Sequence, residues 1–167
     1  MNANTISANN RKRKYDLFLK VLRPSRSDKI LDVGFSNIEY SPVDNYLEKN
    51  YPFPANITAL GIDEDDLFKH RYPEVTTVRY DGHKFPFDDD QFDIGWSNAV
   101  IEHVGNEDNQ ALFLTELSRV CKKIYFTTPN RLFPFETHTR LLFIHWFPKP
   151  ICDRLMKLFG RGWATGN

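Results

Sequence analysis

Three aspartates in this chain each lie at or near the end of a short, mostly apolar run. Asp32 stands in Lys29-Ile30-Leu31-Asp32-Val33-Gly34, Asp63 ends the run from Asn56, and Asp81 ends the run from Val75. A fourth run, Gln91 to Ser97, leads into Asn98. Carboxylates at such positions can accept hydrogen bonds from ribose hydroxyls. A glycine such as Gly34 admits a ligand closer to the backbone than any side chain allows. Aspartate, serine, asparagine and glycine also serve as turn and cap residues, so the pattern alone leaves both readings open.

The elements that must position these residues can be read from periodicity. Tyr15, Phe18, Leu19 and Leu22 recur at helical spacing, and Pro24 ends that helix. The first ten residues are polar and are expected to fray. The basic run Arg11-Lys12-Arg13-Lys14 reads as a solvated helix entrance or as a phosphate contact. Buried strands are expected at Lys29–Gly34, Asn56–Asp63, Val75–Asp81, Gln91–Ser97 and Lys123–Thr128. A helix over Pro42–Lys49, capped by Ser41, and another through Ala111, Leu112, Leu114, Leu117 and Val120 fall between them. Nearly continuous apolar strands that alternate with helices predict an α/β fold: an open, mostly parallel sheet covered on both faces. Ligands in such sheets bind beyond the carboxyl ends of the strands, where the three aspartates cluster.

Composition narrows the function class. With 167 residues the chain is expected to be a single domain spanning 1–167. Its 22 basic and 22 acidic residues give a formal net charge of +0, so the global basic field of a dedicated nucleic-acid binder is absent. Cys121 and Cys152 fit neither a disulfide framework nor a four-ligand zinc site, and Cys121 is expected to be a buried packing residue. The first residues carry no signal-peptide core, and no run reaches the ~18 apolar residues of a membrane span. A reducing, cytoplasmic setting is therefore expected, with peripheral membrane contact left open. Asp88-Asp89-Asp90 reads as a solvated turn before the fourth strand, and no metal site is assigned.

ILDVG at 30–34, GID at 61–63, YDGHKFPFDDDQFDIGWSNAVIEHV at 80–104 and KIYFTTPN at 123–130 together resemble class I S-adenosylmethionine-dependent methyltransferases of the type 11 branch. The likeness runs over residues 27–130 in the family's order, and the block from Asp81 to Val104 is its most specific part. The resemblance implies a Rossmann-like sheet and S-adenosylmethionine as cofactor. It implies that Asp32 and Gly34 flank the methionine portion, that Asp63 holds the ribose, that Asp81 and Gly82 receive the adenine, and that Ser97 and Asn98 line the floor. His103, just past that floor, is the first candidate for a general base, followed by His138 and His145. The other reading of each histidine is a structural one. The acceptor implied is a small molecule or a glycan- or lipid-linked group. The stretch 128–148 (TPNR…PFETHTR…HWFP) resembles methyltransferases encoded near glycan-assembly genes.

Three departures from the family pattern stand out. Its G-x-G-x-G loop is here Gly34-Phe35-Ser36-Asn37-Ile38, so Phe35 or Asn37 occupies a place where close backbone approach is wanted. Residues 40–54 read as an insertion, either a lid or a longer helix and loop. The family's last antiparallel strand pair has no candidate, so residues 131–167 are expected to cap the sheet edge or the substrate side, unless a homodimer or other partner covers it. The apolar segment 141–148 reads as core packing or as a docking surface for membrane or a lipid-linked acceptor. Two rivals remain beside the enzyme. A catalytically degenerate, methyltransferase-like binding module or fragment fits the altered loop. A nicotinamide oxidoreductase lacks its G-x-G-x-x-G. Nucleic acid is not expected as a partner, because neither a basic stripe nor an Asn-Pro-Pro-aromatic motif is present.

Overall fold

A computed structural model of the chain describes residues 3–128 and, beyond them, Arg154. Helix α1 (Ala3–Leu22) opens it, followed by β1 (Ile30–Val33), α2 (Tyr46–Asn50), β2 (Ile57–Gly61), α3 (Asp66–Arg71), β3 (Thr76–Arg79), β4 (Phe92–Asn98), α4 (Glu107–Val120) and β5 (Cys121–Thr127). The five strands form one sheet in the order β3-β2-β1-β4-β5, every neighbouring pair parallel. This is the doubly wound arrangement that alternating strands and helices predict. Strand order reverses between β1 and β4, which opens a crevice at their carboxyl ends.

Each face of the sheet carries its own core. On one, Tyr15 and Phe18 of α1 pack with Leu47, Phe68, Ile94 and Trp96. Trp96 meets the Phe18 ring edge-on at 4.9 Å and stacks on Tyr125 at 5.2 Å, which seats α1 across β4 and β5. On the other face, Phe113, Leu117 and Val120 of α4 cover Leu31, Val33, Leu60 and Phe85. Arg119 pins the turn before β4 to this helix by donating to the Phe85 and Phe87 carbonyls and to Asp89. Asp89 thus belongs to that turn. Cys121 is buried, and burial pushes its thiol up to about 12, as expected of an inert packing residue.

Two expectations about local structure are corrected. Residues 3–10 are helical and continue α1, with no glycine or proline between Ala3 and Leu22. The helix expected over Pro42–Lys49 is shorter: Ser41–Asp44 is a turn, closed by Asp44 Oδ2 accepting from the Tyr40 and Ser41 amides at 2.9 Å. Asn45 then adopts φ 48°, and helix begins only at Tyr46. The expectations for residues 131–167, including the edge cap, His138, His145, Cys152 and the apolar segment 141–148, lie outside the described residues. Among the described residues, no helix is long and apolar enough to cross a membrane.

Candidate functional site

A cavity of about 360 Å³ opens at the crevice between β1 and β4. Asp32, Gly34, Asp63, Asn98 and His103 line it. They share its walls with Arg11 of α1, Asp44 and Asn45 of the turn before α2, and Tyr46, Leu47 and Glu48 of α2. The first group comes from strand ends and, for His103, from the segment after β4; the second comes from elements whose sequence carries no cofactor pattern.

The turn after β1 is shaped by close packing. Gly34 has φ +101°, and a Cβ there would collide with Val100. Its amide is anchored by donation to the Leu60 carbonyl at 2.8 Å. Phe35 does not block the loop: its ring is buried, lies 4.5 Å from Phe68 and occupies the space left by Gly61. Asn37 turns to α3, accepting from the Phe68 amide and donating to Asp66, both at 2.9 Å. Ser36 is clasped by Asn45 through its amide and its carbonyl. The residues that replace the family's later glycines are thus absorbed into the core, α3 and the inserted segment.

Asp32 is buried at the floor of β1, and burial pushes its carboxyl well above the usual carboxylate range. The carboxyl of Glu48 pushes it further, while Arg11 pulls it back. Burial also lowers the Arg11 guanidinium somewhat, against the attraction of Asp44, Asp32 and Glu102. Asp63 stands exposed just past β2, at the cavity wall. Asn98 Oδ1 accepts from Lys14 Nζ at 3.2 Å and from Thr127 at 2.6 Å. Ala99 beside it holds φ 62°, a strained conformation of the kind that clusters at functional sites.

Other expected residues stand apart. Ser97 is buried behind the wall, donating to the Val33 carbonyl at 3.3 Å, and ties β4 to β1. Asp81 and Gly82 lie two and three residues beyond β3, exposed and not among the cavity walls. Asp81 Oδ1 accepts from the His83 amide at 2.9 Å, and Gly82 has φ +87°. His103 sits in a short 3-10 turn, Ile101–His103, whose end brings it to the cavity.

Arg11 and Glu48 were not legible as site residues. For Arg11 a signal existed: it precedes Tyr15 and Phe18 by four and seven positions, which sets it on the helix face that packs on the sheet. For Glu48 there was none, because its burial depends on where α2 starts.

Comparison with known proteins agrees with this geometry. A family profile described as a methyltransferase domain matches residues 31–124, more than half of the chain. Among solved structures, the chain is similar to an S-adenosylmethionine-dependent methyltransferase from Aquifex aeolicus (18% identity, TM-score 0.52, 87% of this chain and 78% of that one). It is also similar to the PH0226 protein from Pyrococcus horikoshii (22% identity, TM-score 0.54, 72% and 58%). At these identities the likeness shows the fold. The chain thus spans between half and four-fifths of these structures' own lengths. No curated protein matches it.

Proposed function

The chain belongs to the methyltransferase-domain family, and we propose that it transfers a methyl group from S-adenosylmethionine to a small-molecule or glycan- or lipid-linked acceptor. The observation that carries this reading is the cavity at the strand-order reversal. There the turn at Gly34 and the carboxyls of Asp32 and Asp63 share the walls with Arg11.

These residues fit the cofactor's charge pattern. Asp63, exposed at the end of β2, suits the ribose hydroxyls, and the Arg11 guanidinium suits the methionine carboxylate. Asp32 suits the methionine end, Asn98 the floor, and Asp81 with Gly82 the adenine. When bound, S-adenosylmethionine supplies a methyl group already activated by its sulfonium. The protein's part is orientation, for which effective molarities reach ~10⁵ M or more. His103 is the residue proposed to take the proton from an acceptor hydroxyl, a role worth about 10²–10⁴-fold in rate.

A calorimetric titration of the chain with S-adenosylmethionine, with NADH as control, tests the reading. Micromolar binding of the former alone is expected, followed by methyl transfer in an acceptor screen. Absence of binding by folded protein would overturn it. Binding without transfer to any acceptor would instead mark the chain as a binding module.

A further inference from the structure

Glu48 is a buried acid on the cavity wall. It stands on α2, inside the inserted stretch, and is only 5% exposed. Neither Oε1 nor Oε2 has a hydrogen-bond partner, yet the residue lines the cavity. The second buried carboxyl of the same wall is that of Asp32, near enough for the two to influence each other's protonation. Two ionised carboxylates cannot bond to each other, so this pairing is tenable when one proton lies between them or when a cation takes the proton's place.

The surroundings leave that place to a ligand. Arg11 of α1 faces Asp32 but is shared with Asp44 and Glu102. Glu39, Lys49 and Tyr72 stand around Glu48. Of these, Lys49 Nζ is committed to Glu39 at 2.8 Å, and the Tyr72 hydroxyl donates to Glu39 at 2.5 Å. Tyr46, Asp63 and His103 are the remaining ionisable groups of the wall. The cavity therefore presents four carboxyls, Asp32, Asp44, Glu48 and Asp63, to one guanidinium, a balance suited to a ligand of net positive charge.

We propose that Glu48 and Asp32 together bind a primary ammonium, the α-ammonium at the methionine end of S-adenosylmethionine, and that it displaces a proton the two carboxyls share without cofactor. The ammonium keeps its three protons and donates to both carboxylates, while the shared proton leaves to solvent. The identity of the ammonium rests on the methyltransferase reading; the carboxyl pair rests on the burial of both residues, the unpartnered Glu48 oxygens and the wall they share.

The test is calorimetry of wild-type protein and Glu48→Gln with S-adenosylhomocysteine, which keeps the ammonium, and with its deaminated analogue. Titrations run between about pH 5 and 9 in buffers of different ionisation enthalpy, so that protons released are counted. Wild type is expected to release up to one proton per ligand, with affinity rising towards tenfold per pH unit below the pair's titration. Glu48→Gln should release less than wild type and bind roughly 10- to 100-fold more weakly at the alkaline end. The deaminated analogue should release no proton from wild type. Equal affinity and equal proton release in the two proteins would overturn the proposal, while the binding itself would leave the methyltransferase reading standing. Failure of folded wild type to bind overturns both. Should Glu48→Gln not fold, the wild-type comparison of the two ligands decides: equal proton release with and without the amino group overturns the proposal.

Discussion

Asn45 and Ser36 hold each other by two hydrogen bonds, the Ser36 amide donating to Asn45 Oδ1 and Asn45 Nδ2 donating to the Ser36 carbonyl, each at 2.8 Å. This clasp joins the inserted stretch to the turn after β1, and so couples the position of Glu48 to that of Gly34. Asn45 makes it from φ 48°, a left-handed conformation that asparagine tolerates better than most residues. Asn45→Gly keeps that backbone and deletes both bonds, together with the one Asn45 Nδ2 donates to Glu39 Oε1; it should lower stability by about 1–3 kcal/mol and weaken cofactor binding. Asn45→Ala adds the left-handed penalty, roughly 1 kcal/mol more. Denaturant midpoints should therefore rank wild type above Gly and Gly above Ala; an alanine variant as stable as glycine would show that the backbone at 45 is not strained.

Gly34 faces two separate penalties if substituted. A Cβ would strike Val100, and φ +101° disfavours any L side chain. Gly34→Ala should lower stability by about 2–4 kcal/mol. Combining it with Val100→Ala removes the collision and leaves the dihedral strain, so part of the loss should return. A double-mutant cycle on unfolding free energies measures that share. Zero coupling would mean that the chain relieves the clash by moving the turn.

The sheet was legible because its strands are short apolar runs punctuated by aspartate and glycine. Local periodicity also found α4 and the turn at Gly34. What it could not find depends on contacts across the sequence. The helix expected over Pro42–Lys49 assigns Glu48 no role, because Tyr46-Leu47-Glu48-Lys49-Asn50 contains nothing that asks to be buried beyond Tyr46 and Leu47. Its burial follows from Asn45 bonding to Ser36, nine residues back, which delays the helix and turns Glu48 to the cavity. Arg11 is one of four consecutive basic residues; its spacing to Tyr15 and Phe18 selects it among them, and their packing against Trp96 turns that face to the sheet. Phe35 read as an obstacle to the cofactor because nothing in the sequence announced that Gly61 leaves room for its ring.

Asp63 separates binding from stability. It is exposed at the end of β2, so its removal leaves no buried partner unsatisfied. Asp63→Ala should weaken S-adenosylmethionine binding by ~1.5–3 kcal/mol through loss of charged hydrogen bonds, with the thermal midpoint of the free protein nearly unchanged. The same variant should bind a 2′,3′-dideoxyribose analogue as well as wild type does, because the lost contacts are those of the hydroxyls. Unaltered affinity for the natural cofactor would remove Asp63 from the ribose role.

The buried carboxyl pair also gives the free protein a pH signature. Burial and mutual repulsion raise Asp32, and burial raises Glu48, above their ordinary values. At this pair the folded state then binds more protons than the unfolded chain, so the pair's contribution to stability falls as pH rises. The contribution is complete below the unfolded carboxyl range, near pH 4, and is lost as pH climbs through the raised folded value. Glu48→Gln removes the shared proton and one orphaned carboxylate. It should flatten that slope and make the free protein more stable than wild type at alkaline pH, by about 1–3 kcal/mol. Urea unfolding of both proteins across the pH range measures the difference. Parallel stability curves would show that the two carboxyls titrate as independent, solvated groups.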